Sequence, residues 1–154
     1  MNVKDFTNSE IESKLQHYCS YQERCHKEVF EKLKTFNIKY HEINQIISNL
    51  ISDNYLNESR FAQSFVRGKF NIKNWGKIRI TNELKKRNIS SYNIKLGLKE
   101  LDEQDYLNKF EAIFKKKMSS LKESSIQTKK KKIVSYLLYR GWENHLIFTK
   151  INEI

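Results

Sequence analysis

Nine of the ten charged side chains between residues 60 and 87 are basic. Arg60, Arg67, Lys69, Lys73, Lys77, Arg79, Lys85, Lys86 and Arg87 stand against Glu83 alone, a local balance of +8. A second block, residues 115–154, holds ten basic and three acidic side chains, a balance of +7. It contains lysine runs at Lys115, Lys116 and Lys117 and at Lys129, Lys130, Lys131 and Lys132. Residues 1–59 and 88–114 are each at −2, so the two blocks account for the whole net charge of +11. Cations clustered in this way suit a polyanion or an acidic protein surface, because they neutralise phosphates or carboxylates and release counterions. The lysine runs also fit a plain solvated face. The first block, where arginines mix with aromatics, fits that less well.

Other chemistry is poorly supported. His17, Cys19, Cys25 and His26 lie within ten residues, but the common zinc arrangement needs two closely spaced cysteines and a second pair further on. Cysteines six apart on helices do not converge, and they read as free thiols with no metal site. The four glycines, Gly68, Gly76, Gly97 and Gly141, form no phosphate loop, and no Gly-Lys-Ser/Thr occurs. Asp102, Glu103 and Asp105 read as caps at a helix start, where carboxylates suit the dipole. Tyr18, Tyr21, Tyr55, Tyr92, Tyr106, Tyr136 and Tyr139 could stack on bases, but at helical spacing they read as core or boundary residues. No catalytic set and no cofactor site is expected.

The elements that must carry these residues are helices. Apolar residues recur at three and four: Ile43, Ile46, Ile47 and Leu50; Ile94, Leu98 and Leu101; Ile147, Ile151 and Ile154. On a helix from about Asn57 to Phe70, Phe61, Ala62, Phe65, Val66 and Phe70 form a core face. Arg60 and Arg67 share the opposite side, within about 20° of each other. Trp75-Gly76-Lys77 opens a second helix, in which Arg79, Glu83 and Arg87 form a row of alternating charge at four-residue spacing.

The pattern also repeats. Phe30, Lys34 and Ile38 match Thr81, Lys85 and Ile89 at an offset of 51. Ile80, Leu84, Asn88 and Ile89 match Ile133, Leu137, Gly141 and Trp142 at an offset of 53. Asn37, Asn88 and Gly141 occupy the same place in each copy, just past a helix, where a left-handed backbone favours Asn or Gly. A shared period with shared turn chemistry marks tandem modules. The expected fold is all-α: three tandem three-helix repeats, residues 1–52, 53–101 and 102–154, stacked as an elongated, curved array.

Composition agrees. At 154 residues with 38% apolar side chains and 19 aromatics, the chain can bury a core. With no proline and four glycines, an all-β sandwich or barrel is nearly excluded. No apolar run is long enough to span a membrane. The opening residues Met1, Asn2, Val3, Lys4 and Asp5 lack a signal-peptide pattern, so a reducing cytoplasm is expected.

Arg60-Phe61-Ala62, then Arg67, then Gly76-Lys77-x-Arg79-Ile80-x2-Glu83-Leu84 and the Asn88-Ile89 turn resemble the central motif of the RecX family, bacterial regulators of the RecA recombinase. The resemblance is dense over residues 53–101 and thinner on either side. Asn88 stands where glycine is usual. The resemblance implies tandem three-helix repeats and no enzyme activity. It also implies a monomer that binds RecA–DNA filaments, lying along their groove, and restrains filament growth, ATP turnover and strand exchange. The expected contact residues are the nine cations of the first block with Lys129, Lys130, Lys131 and Lys132, meeting the filament protein or its single- or double-stranded DNA. The alternative is a helical protein that binds DNA or RNA irrespective of sequence and has no filament partner.

Overall fold

The computed structural model describes residues 6–122 and 125–154. Residues 1–5, on which the expectation of no signal peptide rests, lie outside the described residues. Among those described there are nine helices and no strand. They are α1 (Asn8–Tyr21), α2 (His26–Lys34), α3 (Tyr40–Ser52), α4 (Glu58–Asn71), α5 (Lys77–Lys86), α6 (Ser91–Leu98), α7 (Glu103–Ser120), α8 (Ile126–Tyr139) and α9 (Asn144–Ile151). None is long and apolar enough to cross a membrane.

Local chemistry sets the helix ends. Thr7 and Glu10 form a reciprocal capping box at α1. Asn57, Ser90, Asp102 and Ser125 each accept a backbone N–H from three residues on, at the starts of α4, α6, α7 and α8. These bonds satisfy amides that the first turn leaves without partners. Asn37, Asn88 and Gly141 are left-handed, with φ of 55°, 59° and 85°. Ile89 N–H donates to Leu84 C=O and Trp142 N–H to Leu137 C=O, both at 3.1 Å. The same residue pair thus closes the same turn 53 residues apart. Asn54 and Asn74 are also left-handed, at 64° and 60°, in turns that the period does not pick out.

Packing divides the array unequally. Ile11, Leu15, Val29, Leu33, Ile43, Ile46 and Leu50, from α1–α3, form one core with Cys19 and Leu56. The second core runs without a break through α4–α9, from Phe61, Val66 and Leu84 to Ile133, Trp142 and Ile151. Trp142 is fully buried, with the rings of Tyr106, Phe110 and Phe70 at 4.7, 5.5 and 6.4 Å. Burying one large aromatic side chain stabilises by roughly 1.5–3 kcal/mol, so this cluster is the anchor between the middle and last triads of helices. Among the described residues, only Cys25 reaches from the first triad into the second core. Cys19 and Cys25, close together in the sequence, therefore sit in different cores. Burial pushes both thiols up to about 11.

Candidate functional site

Arg60 and the stretch Gly76 to Arg79 of the resembling motif sit at two junctions between triads. At the first, α4 carries Arg60 toward the loop between α1 and α2. Its Nε donates to Glu23 at 2.5 Å, and its Nη atoms donate to the Asn54 side chain and to the Asn54 and Tyr55 carbonyls at 3.1–3.3 Å. His26 N–H donates to Glu58 at 2.9 Å, and Lys27 Nζ to the Lys86 carbonyl at 2.9 Å. This junction is mostly polar.

At the second junction, Gly76 lies against Gly141. Gly76 N–H donates to Arg140 C=O at 2.8 Å and Ile78 N–H to Gly141 C=O at 3.0 Å, while Trp142 Nε1 donates to Asn74 C=O at 3.1 Å. A Cβ on Gly76 would come within 2.5 Å of the Gly141 carbonyl oxygen, and one on Gly141 would overlap the Arg79 backbone. The motif glycine is therefore required by close approach of backbone. The Arg79 guanidinium lies over the Trp75 ring at 4.2 Å and the Tyr139 ring at 4.5 Å, and donates to the Tyr139 carbonyl at 3.1 Å. Tyr106 hydroxyl accepts from Lys77 N–H at 2.9 Å and donates to the Glu143 carboxylate. Burial, reinforced by that carboxylate, holds the phenol well above its ordinary range.

Most of the first basic block is thus engaged within the chain. Arg67 pairs with Glu100 at 2.8 Å and Lys77 with Glu103 at 3.3 Å. Glu83 accepts from Arg87 at 3.1 Å and Lys86 at 3.4 Å. Its partial burial works to raise its pKa, but those hydrogen bonds outweigh it and hold the carboxyl below its ordinary value. The row expected along α5 is therefore a pair of bonds to Lys86 and Arg87, while Arg79 turns away to the next triad. Lys69 lies over the Phe65 and Trp75 rings; Lys73 and Lys85 are exposed. Glu23, Glu100 and Glu103 come from outside the block, so the local balance falls from +8 to +5 once they are included.

Besides an opening of about 430 Å³ on α1 and α2, lined by Lys14, His17, Arg24 and Lys32 with Tyr18 and Tyr21 and with no carboxylate among the described residues, two basic clefts remain. The larger of the openings between the first and middle triads, about 560 Å³, is lined by Lys27, Lys32, Lys86 and Arg87, with Glu28 and Glu31 among them. The other lies on α7 and α8. It measures about 490 Å³, and its lining is Lys117, Lys131, Lys132, Ser135, Tyr136, Tyr139 and Arg140. No carboxylate lines it among the described residues. Lys131 and Lys132 are exposed and Lys129 and Lys130 half-buried on α8. The sequence points to those four lysines as contacts but not to Arg140 or Tyr139, and it gives Lys117 only as part of a run. Tyr139 is 69% exposed, as are Tyr21 at 78% and Tyr92 at 74%, against the core or boundary places expected. The alternation of tyrosine and cation at Tyr136, Tyr139 and Arg140 was the available signal.

Comparison with known proteins places this architecture. Residues 57–98 match the family model described as RecX, second three-helix domain. A regulatory protein RecX of Streptococcus agalactiae is 28% identical over 99% of this chain and 59% of its own length. One from Bacillus cytotoxicus is 31% identical over 89% of this chain and 51% of its own length. The chain thus spans a little over half the length of these relatives. The crystal structure of RecX from Lactobacillus salivarius superposes with a TM-score of 0.81 at 29% identity, covering 95% of both chains. A second crystal structure, of regulatory protein RecX, shares the fold with a TM-score of 0.83 at 18% identity, over 96% of this chain and 73% of that one. With Arg60 and Gly76 to Arg79 of the motif at the repeat junctions, the chain is similar in sequence and in structure to RecX proteins over nearly its whole length, and its residues 57–98 match the second three-helix domain of that family.

Proposed function

We propose that this chain is a non-enzymatic regulator that binds RecA filaments on DNA and restrains their ATP turnover, strand exchange and growth. It acts as a cytoplasmic monomer of three repeats, residues 1–52, 53–101 and 102–154. The observation that carries the reading is the likeness to RecX proteins over nearly the whole chain. An array of helix triads with cations at both ends of its second core is physically suited to touching protein and phosphate together. Five of the expected cations are held by the bonds within the fold described above. Arg60, Arg67, Lys77, Arg79 and Arg87 shape the array. Lys69, Lys73, Lys85, Lys86, Lys129, Lys130, Lys131 and Lys132 face the partner.

The test is a titration into RecA filaments assembled on single-stranded DNA, reading ATP turnover and filament length together. The reading expects both to fall; no change in either contradicts it. The second reading, binding to DNA or RNA without a filament partner, is favoured by the acid-free cleft of α7 and α8. It expects binding to bare strands and no effect on the recombinase beyond competition for them.

A further inference from the structure

Two basic clefts, one on α1 and α2 and one on α7 and α8, have no carboxylate in their lining among the described residues; what sets the second apart is that its exposed ring lies under a guanidinium. Cations line this second cleft, and an aromatic ring stands open at its rim. Tyr136 is not that ring. Arg140 lies over it at 3.7 Å and Lys117 at 4.5 Å, and it is half-buried. Tyr139 is 69% exposed. The Arg79 guanidinium lies over the Tyr139 ring at 4.5 Å and over the Trp75 ring at 4.2 Å. Trp75, Arg79 and Tyr139 therefore form a cluster across the second junction that includes an exposed ring. Arg79 is itself fixed by its bond to the Tyr139 carbonyl. The ring is held in place before anything binds, which lowers the entropy cost of association.

We propose that this cleft is a single-stranded nucleic-acid site. Lys117, Lys131 and Arg140 receive the phosphates and Tyr139 stacks on a base, extending the Trp75–Arg79–Tyr139 cluster by one ring. Charge alone would admit an acidic protein surface equally. The exposed aromatic at the rim favours nucleic acid, since carboxylate surfaces offer nothing to stack on it, whereas every base has a π-face. A single strand is favoured over a duplex because its bases are free to leave the backbone line. The site needs no filament, so it stands independently of the regulatory reading.

The test is fluorescence anisotropy with the full chain alone, using a labelled mixed-sequence single strand and an abasic strand of equal length. The wild type is expected to prefer the base-bearing strand. Tyr139→Ala should weaken that strand by about 5- to 150-fold and leave the abasic strand unchanged, because base–aromatic stacking is of that size. Tyr139→Trp should retain the preference and Tyr139→Leu should abolish it. Lys117→Ala with Lys131→Ala should weaken both strands and flatten the salt dependence, by about 0.7 in log–log slope for each phosphate no longer neutralised. The bond from Arg79 goes to the residue 139 backbone, so these variants should keep wild-type helicity, checked by circular dichroism. Equal affinity for the two strands, an unchanged preference in Tyr139→Ala, or polyglutamate competing as well as the strand would overturn the proposal. An inert result with RecA filaments alongside these shifts would refute the regulatory reading and leave this one standing.

Discussion

At the residue scale, the left-handed turns separate what a side chain can replace from what it cannot. Gly141 and Asn88 occupy matching places and both have positive φ, at 85° and 59°. Gly141 also lies against the Arg79 backbone. Gly141→Ala therefore adds strain of about 1–2 kcal/mol from the backbone alone, and overlap besides. Asn88→Gly should be close to neutral. Urea midpoints compare the two, and equal midpoints would show that Gly141 is neither strained nor tight against Arg79. The left-handed need at positions 37, 88 and 141 was legible from the repeat. The closeness of Gly76 to Gly141 was not, because the two are far apart in sequence.

Glu83 gives a second prediction at this scale. Its folded pKa lies below the ordinary value of 4.5. A depressed carboxylate contributes stability that is present above its unfolded pKa and is lost as pH falls through the folded one. Glu10 and Glu42 are depressed too, Glu10 by hydrogen bonds at the Thr7 cap and Glu42 by hydrogen bonds from Asn8 and Lys39. Stability should thus hold near neutrality and decline once pH drops below about 4.5. Glu83→Gln should shallow that decline. An acid limb with the same slope in the variant would mean that Glu83 does not contribute. The pairing with Arg87 was legible from four-residue spacing. The departure of Arg79 was not, since its acceptor lies on another triad.

At the scale of elements, the two junctions are built from different chemistry. The first depends on Arg60, Glu23, Glu58 and Lys27, with Cys25 as the only buried apolar link among the described residues. The second lies inside one continuous core around Trp142. Opening the first exposes little apolar surface, so α1–α3 should open as a unit before α4–α9. Hydrogen exchange on the intact chain should show two levels of protection, divided near Leu56. Arg60→Ala should lower the first level by about 1–2 kcal/mol, as expected for a partly exposed, charge-assisted hydrogen-bonded pair, and leave the second in place. One uniform level throughout would contradict this division. Helix periodicity made the helices accessible to sequence reading, since each needs only its own apolar stripe. It could not show which triads share a core, because that depends on pairings such as Phe70 with Trp142.

At the scale of the whole molecule, the linear charge blocks overstate the first surface more than the second, where Glu111 pairs with Lys150. Folding draws Glu23, Glu100 and Glu103 onto the first block, while the packing of α7 on α8 brings Lys117 beside Arg140 and Lys131. The central claim is that the chain acts on a filament rather than on bare DNA. The most direct measurement is the number of molecules per RecA subunit needed to halve ATP turnover on single-stranded DNA, with and without excess free strand. A regulator docked on the filament affects many subunits from one position. The account predicts half-inhibition well below one molecule per subunit, only weakly relieved by the added strand. Half-inhibition near the ratio that coats the DNA, relieved in proportion to the strand added, would contradict it.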